Sequence, residues 1–140
     1  MKTILVPIDL AHETGLQKTV DHAVALAKMH GAELHVLTVI PDYGMSMVGS
    51  FFPKDFSKNA VSETGAALAA FVGAHFPDEG DVKQHVRHGT IYEQIIEVAD
   101  KIGADMIVMA SHRPEMSDYL LGPNAARVVR HARQSVSVIR

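Results

Sequence analysis

Met106–Val136, MIVMASHRPEMSDYLLGPNAARVVRHARQSV, decides how this chain folds. It opens on an unbroken apolar run, Met106-Ile107-Val108-Met109-Ala110, turns polar at Ser111-His112-Arg113, and reaches a helical pattern after Gly122-Pro123-Asn124. An apolar run of this length is a strand buried on both faces, the mark of a parallel sheet. A strand that ends in polar residues and leads to a glycine-opened helix is how α/β proteins build an anion site. The first N–H groups of such a helix have no partner within it and face whatever lies above the strand. The stretch is therefore read as the receiving segment for the phosphates of a nucleotide.

Working outward, the same logic assigns the rest of the chain. Lys2–Ile8 is a strand apolar on both faces, ended by Pro7, with Asp9 just past its carboxyl edge. Asp9 has two readings, a turn carboxylate or a ligand contact, because open parallel sheets bind ligands outside the carboxyl ends of their strands. Leu16, Val20, Ala23, Val24 and Ala27 recur at helical spacing up to Gly31, and Glu33–Ile40 is a second strand stopped by Pro41. Pro41–Phe56 is a long connection rich in Met and Phe (Met45, Met47, Phe51, Phe52), read as a loop folded over the core, a lid or a subunit contact. Val61, Leu68, Phe71 and Val72 mark a helix reaching Phe76. Asp81–His88 alternates Val82 and Val86 with polar residues, as a half-exposed edge strand does. Thr90 and Glu93 have capping-box spacing at the head of a helix striped by Ile91, Ile95, Val98 and Ile102 and closed by Gly103. Ser135–Arg140 is a fifth strand. Strands alternate with helices throughout, which implies a doubly wound five-stranded parallel sheet with helices on both faces and right-handed crossovers.

Bulk properties narrow the function. A chain of 140 residues, 47% hydrophobic and 21% charged, has the length and balance of one soluble globular domain, 1–140. A net charge of −3 gives no general attraction to nucleic acid or anionic membrane. Five of the six arginines, Arg113, Arg127, Arg130, Arg133 and Arg140, lie in the last third. Arg127, Arg130 and Arg133 read as a solvated helix face, and Arg113, in the polar loop, as a ligand contact. The absence of cysteine excludes disulfides, thiolate catalysis and cysteine-ligated metal. No signal-like leader precedes the first strand and no apolar run is long enough to span a bilayer, so a cytoplasmic location is expected.

No catalytic constellation emerges. Nine histidines invite a metal, yet none shows the i, i+4 helical spacing of a two-histidine zinc site. His85 and His88, three apart on a strand, point to opposite faces. Ser111 and His112 are adjacent, but no Gly-x-Ser-x-Gly elbow accompanies them. Neither a dinucleotide fingerprint nor a Walker P-loop is present. No metal site and no catalytic residue are assigned.

The remaining pattern resembles the universal stress protein family, over essentially the whole chain. The matching pieces are ILVPID at Ile4–Asp9, LHVLTVIP at Leu34–Pro41, GT-x-x-x-x-I at Gly89–Ile95, and ADMIVMASHRP followed by LGPNAARVVRHA and SVSVIR from Ala104 onward. The wording is similar to that of the small single-domain bacterial branch. The resemblance implies an adenine nucleotide alpha hydrolase-like sheet of order 3-2-1-4-5 and a homodimer paired through Ser135–Ile139. It also implies ATP, or AMP or ADP, with Mg²⁺ accompanying ATP, in the crevice between the first and fourth strands. Carried over by position, Pro7, Ile8 and Asp9 lie beside adenine and ribose and Val39 holds the adenine edge. Met109 and Ala110 end the wall, and Arg113, Gly122, Pro123 and Asn124 surround ribose and phosphates.

The chain departs from the family's ATP signature. Ala110 and Arg113 stand for its first two glycines, eight residues rather than nine separate Arg113 from Gly122, and Pro123 replaces the hydroxyl residue. Pro123 removes a hydroxyl and an N–H from the cradle, although proline suits the first turn of a helix. Arg113 adds a charge-assisted donor. The expected function is that of an adenine-nucleotide-binding stress or regulatory protein, acting through nucleotide-dependent conformation and contacts with a regulatory protein partner. The alternatives are a slow ATPase or nucleotidyl-transferring enzyme, for which a Walker lysine and paired carboxylates are lacking, and a dimeric module with a degenerate site.

Overall fold

The computed structural model describes residues 1–13, 15–41, 54–111 and 122–140. Nine elements follow in order: β1 (Thr3–Pro7), α1 (Leu16–His30), β2 (Glu33–Pro41), α2 (Lys54–His75), β3 (Lys83–Gly89), α3 (Ile91–Ile102), β4 (Met106–Ala110), α4 (Gly122–His131) and β5 (Ser135–Ile139). The strands form one sheet of order β3-β2-β1-β4-β5, and every recorded pairing is parallel. Fold class and strand order are as expected from the sequence.

Alternation along the strands sorts the core into two layers. Ile4, Val6, Ile8, Leu34, Val36 and Val108 point to the face covered by α1 and α2, where they meet Val20, Ala23, Leu68 and Phe71. Leu5, Leu37, Ile107 and Met109 point to the other face, against Ile95, Val98 and Ala99 of α3 and Ala125 and Val128 of α4. Burying a side chain such as Ile107 completely contributes about 1.5–3 kcal/mol relative to leaving it in water. β3 lies at one edge and is only partly covered, which is why its sequence alternates rather than running apolar.

The helix boundaries follow local chemistry. α1 and α3 both end where a glycine takes a left-handed conformation, Gly31 at φ 65° and Gly103 at φ 67°, each donating its N–H back into the last turn. α2 begins at Lys54, so the final residues of the Pro41–Phe56 connection are helical; Met45, Met47, Phe51 and Phe52 lie outside the described residues. One local expectation is corrected. Thr90 occupies the N-cap of α3 with extended backbone, but its side chain makes no capping hydrogen bond. Glu93 instead accepts from the Tyr92 hydroxyl at 3.4 Å, a long contact, so the capping box is not formed.

At the amino end of the sheet β1 is tied to both neighbours. Asp105, just before β4, accepts the N–H groups of Lys2 and Thr3 on Oδ2 at 2.8 and 3.0 Å, and donates its own N–H to the Thr3 carbonyl at 2.8 Å. On the other side Glu33 donates its N–H to the Lys2 carbonyl at 2.8 Å. The two backbone donors, Lys2 first, hold the Asp105 carboxyl below its ordinary value of 3.8. A depressed carboxyl contributes stability above that ordinary value, and the contribution is lost as pH falls through the lower folded-state value. Asp105→Ala is therefore expected to lower the urea midpoint at neutral pH. The gap from the parent should narrow as the pH is taken below 3.8 in a series of denaturation curves.

Candidate functional site

At the carboxyl end of the sheet β1 and β4 part company. Their recorded register covers only Ile4–Met106 and Leu5–Ile107. Beyond it each strand keeps to its outer neighbour: Ile8 donates its N–H to Leu37 of β2 at 2.8 Å, and Ser111 donates its N–H to Ile139 of β5 at 2.7 Å. The chain leaving β1 joins α1 on one face of the sheet, and the chain leaving β4 joins α4 on the other. Diverging strands with crossovers to opposite faces leave a crevice at a topological switch point.

The lining residues come from four elements. From β1 and its exit come Pro7 and Ile8, both buried, and Asp9, which is exposed. Met109, 6% exposed, and Ala110 end β4. Val39 lies near the end of β2 and packs against the same core layer as Met109. Pro7, Val39 and Met109 share one face of the sheet, the face that α4 covers. They supply an apolar wall of the kind a flat heterocycle packs against. Gly122, Pro123 and Asn124 form the first turn of α4, with Asn124 half-buried and Ala125 anchored in the core. Because Pro123 carries no N–H, the free backbone donors within that turn come from Gly122 and Asn124. Apolar wall and N–H-bearing helix start together fit an adenine nucleotide in kind. Arg113 and His112 lie outside the described residues.

Asp9 makes the contacts of a turn residue. Its Oδ1 accepts the Ala11 N–H at 3.0 Å, its Oδ2 pairs with His12 Nδ1 at 2.7 Å, and its carbonyl accepts the His12 N–H at 3.0 Å. This Asx-type turn shapes the exit from β1. The Asp9 side chain is 64% exposed, so unused lone pairs still face solvent at the mouth of the crevice. Arg127 and Arg130 of α4, and Arg133 after it, are exposed as expected, with Arg127 lying over the Tyr92 ring at 5.3 Å.

Two features escaped the reading of the sequence. A groove of about 310 Å³ runs between α1 and the end of α2, lined by Asp21, Lys28, His75 and Glu79 among others, and takes no part in the crevice. Far from the crevice on β2 and β3, His35 Nδ1 lies 2.8 Å from His85 Nε2, and His35 Nε2 lies 2.6 Å from Glu33 Oε1. Adjacent strands in parallel register create that contact, which no spacing within one strand could reveal. Among the described residues no group of three or more potential ligands could hold a metal ion.

The universal stress protein family model matches residues 1–140. The chain belongs to the universal stress protein family. Universal stress protein G of Escherichia coli O157:H7 is 35% identical over 141 residues, covering 99% of both chains. Universal stress protein A homolog 1 of Coxiella burnetii is 30% identical over 129 residues, or 91% of this chain and 88% of that protein. Among solved structures, hypothetical protein MJ0577, whose biochemical function was assigned from its structure, superposes with a TM-score of 0.80 at 27% identity, covering 99% of this chain and 94% of that one. A universal stress protein solved in complex with cAMP has the same fold, with a TM-score of 0.58 at 21% identity over 99% of this chain and 96% of that one. No described helix of this family member is long and apolar enough to cross a membrane.

Proposed function

We propose that this universal stress protein binds an adenine nucleotide in the β1/β4 crevice and acts as a regulatory switch through that ligand, without rapid chemistry. The observation that carries the proposal is the parting of β1 and β4 beside the N–H-bearing first turn of α4. A cyclic adenine nucleotide bound by a protein of the same fold supports it. In this reading Pro7, Ile8, Val39 and Met109 hold the adenine, and Asp9 meets the ribose. Ala110, Gly122, Pro123 and Asn124, with Arg113 from the loop, lie along the phosphates, and Mg²⁺ accompanies ATP. Pro123 weakens the phosphate grip by removing one backbone donor, and Arg113 offsets that loss with a charged one. The protein is proposed to work in the cytoplasm, in contact with a regulatory protein partner.

The unpaired edge of β5 supports a second part of the proposal. Among the described residues, Ser135–Ile139 pairs with β4 on one side and presents a row of backbone donors and acceptors on the other. Such an edge is a template for pairing with another chain, here a second copy. His22 on α1 braces the strand by a 3.0 Å contact to the Ser137 hydroxyl.

Calorimetric titration with ATP, AMP and adenosine tests the ligand, together with analysis of nucleotide released from the denatured protein. Binding of ATP is expected, and Arg113→Ala should weaken ATP about tenfold or more, the worth of one charge-assisted contact, while changing adenosine little. No heat at millimolar ATP and no released nucleotide would leave only the reading in which the pocket is degenerate. For the dimer, light scattering after size exclusion should give twice the chain mass for the parent and the monomer mass for Val138→Lys, with unchanged far-UV circular dichroism. A parent that elutes as a monomer at tens of micromolar rules the β5 pairing out.

A further inference from the structure

The Glu33–His35–His85 row lies at the amino-terminal half of β2 and β3, on the face covered by α3. Glu33, His35 and Leu37 alternate onto that face from β2, and Lys83, His85 and Arg87 from β3. The two imidazoles stack with centroids 5.1 Å apart and planes within 10°, and the His35 side chain is only 9% exposed. Glu33, 49% exposed, connects the row to solvent.

Hydrogen counting limits what this row can hold. With both rings neutral, His35 Nε2–H donates to the Glu33 carboxylate, and the bare His35 Nδ1 accepts from His85 Nε2–H. One added proton fits without breaking a bond: it can sit on the outer His85 nitrogen, or on His35 between Glu33 and a bare His85 Nε2. A second proton places N–H groups on both facing nitrogens, 2.8 Å apart, and the contact turns from a hydrogen bond into a repulsion. Lys83 and Arg87 on β3 and Lys101 on α3 oppose further charge. Burial, then His35, Arg87 and Lys101 hold His85 below the ordinary histidine value of 6.5. Among the described residues no group of three or more ligands is gathered here for a metal to replace the proton.

We propose that Glu33, His35 and His85 form a one-proton site whose second protonation releases the edge strand β3 from β2. The strand that would move is an edge: β3 pairs with β2 alone in the sheet order and is only partly buried, with Lys83 paired to Asp81 at 3.5 Å on the surface. The sign follows from linkage. A histidine with a lowered folded-state value takes up its proton more readily when unfolded or detached. The closed arrangement therefore loses stability as pH falls below 6.5 and stops losing it below the folded-state value.

The test is an NMR titration of the labelled full-length chain from pH 8 to 4.5. It follows the imidazole nitrogens together with hydrogen-exchange protection of the strands, corrected for intrinsic rates. Two coupled steps are expected for His35 and His85, separated by more than about one pH unit. In the second step the amides of Lys83–Arg87 should lose protection, by up to about tenfold per pH unit, while β1 amides hold. His85→Gln retains a donor for His35 Nδ1 and removes the second proton, so β3 protection should become flat over the same range. The wild-type titration decides the matter even if that variant does not fold. Two independent one-site curves, or β3 protection that follows β1 through the second step, would overturn the proposal.

Discussion

The structure depends on keeping β1 bonded along both edges and buried on both faces. Thr3–Pro7 is the middle strand of five, and Ile4, Leu5 and Val6 are fully removed from solvent. A strand in that position can satisfy its backbone groups only through its neighbours, since no water reaches it. Each neighbouring strand must therefore pair in register, here in parallel, and each face must be covered by its own helices. The helices α1 and α2 on one side, and α3 and α4 on the other, are the consequence. A right-handed crossover between parallel strands requires the alternation of elements seen along the chain.

That constraint is met differently at the two ends of the sheet, and the difference locates function. At the amino end β1 is bonded on both sides, through Glu33 and Asp105. At the carboxyl end it keeps only β2, because β4 has turned to β5. Asp9, just past the parted end of β1, is exposed to solvent, and it is at this end that the proposed ligand would enter.

Much of this was legible in the sequence because it depends on local composition. Runs such as Ile4–Val6, Leu34–Ile40 and Met106–Ala110 are apolar on both faces, and only interior parallel strands need that. Asp81–His88 alternates, and β3 is an edge. The proposed site positions were read from strand ends: Pro7, Val39 and Met109 share one face of the sheet, whereas Ile8 and Ala110 pack in the layer under α1 and α2. What stayed hidden depends on distance across the fold. That both Asp9 oxygens shape the turn, on Ala11 and His12, could not be read from its place after β1. Thr90 and Glu93 had the right spacing for a capping box, but spacing does not fix rotamers, and Glu93 lies toward Tyr92. The His35–His85 contact requires the β2–β3 register, which joins residues 50 apart.

The position of that histidine pair bears on how the two ends communicate. Val39 pairs in register with Arg87, and Leu37 with His85, so β2 and β3 carry one ladder from the proton row up to the crevice wall. β2 is held on its other side by β1 as far as the Ile8–Leu37 bond. Loss of the lower β3 pairing removes one of the two supports of β2 without touching the other. Val39 would then be the crevice residue most exposed to the change, because it is the wall residue whose strand borders β3. The remaining apolar wall, Pro7 and Met109, belongs to β1 and β4, and β1 also borders the row, since Leu5 pairs in register with His35. In the proposed reading a change at the row would reach the adenine edge first through Val39, whose strand borders β3 directly.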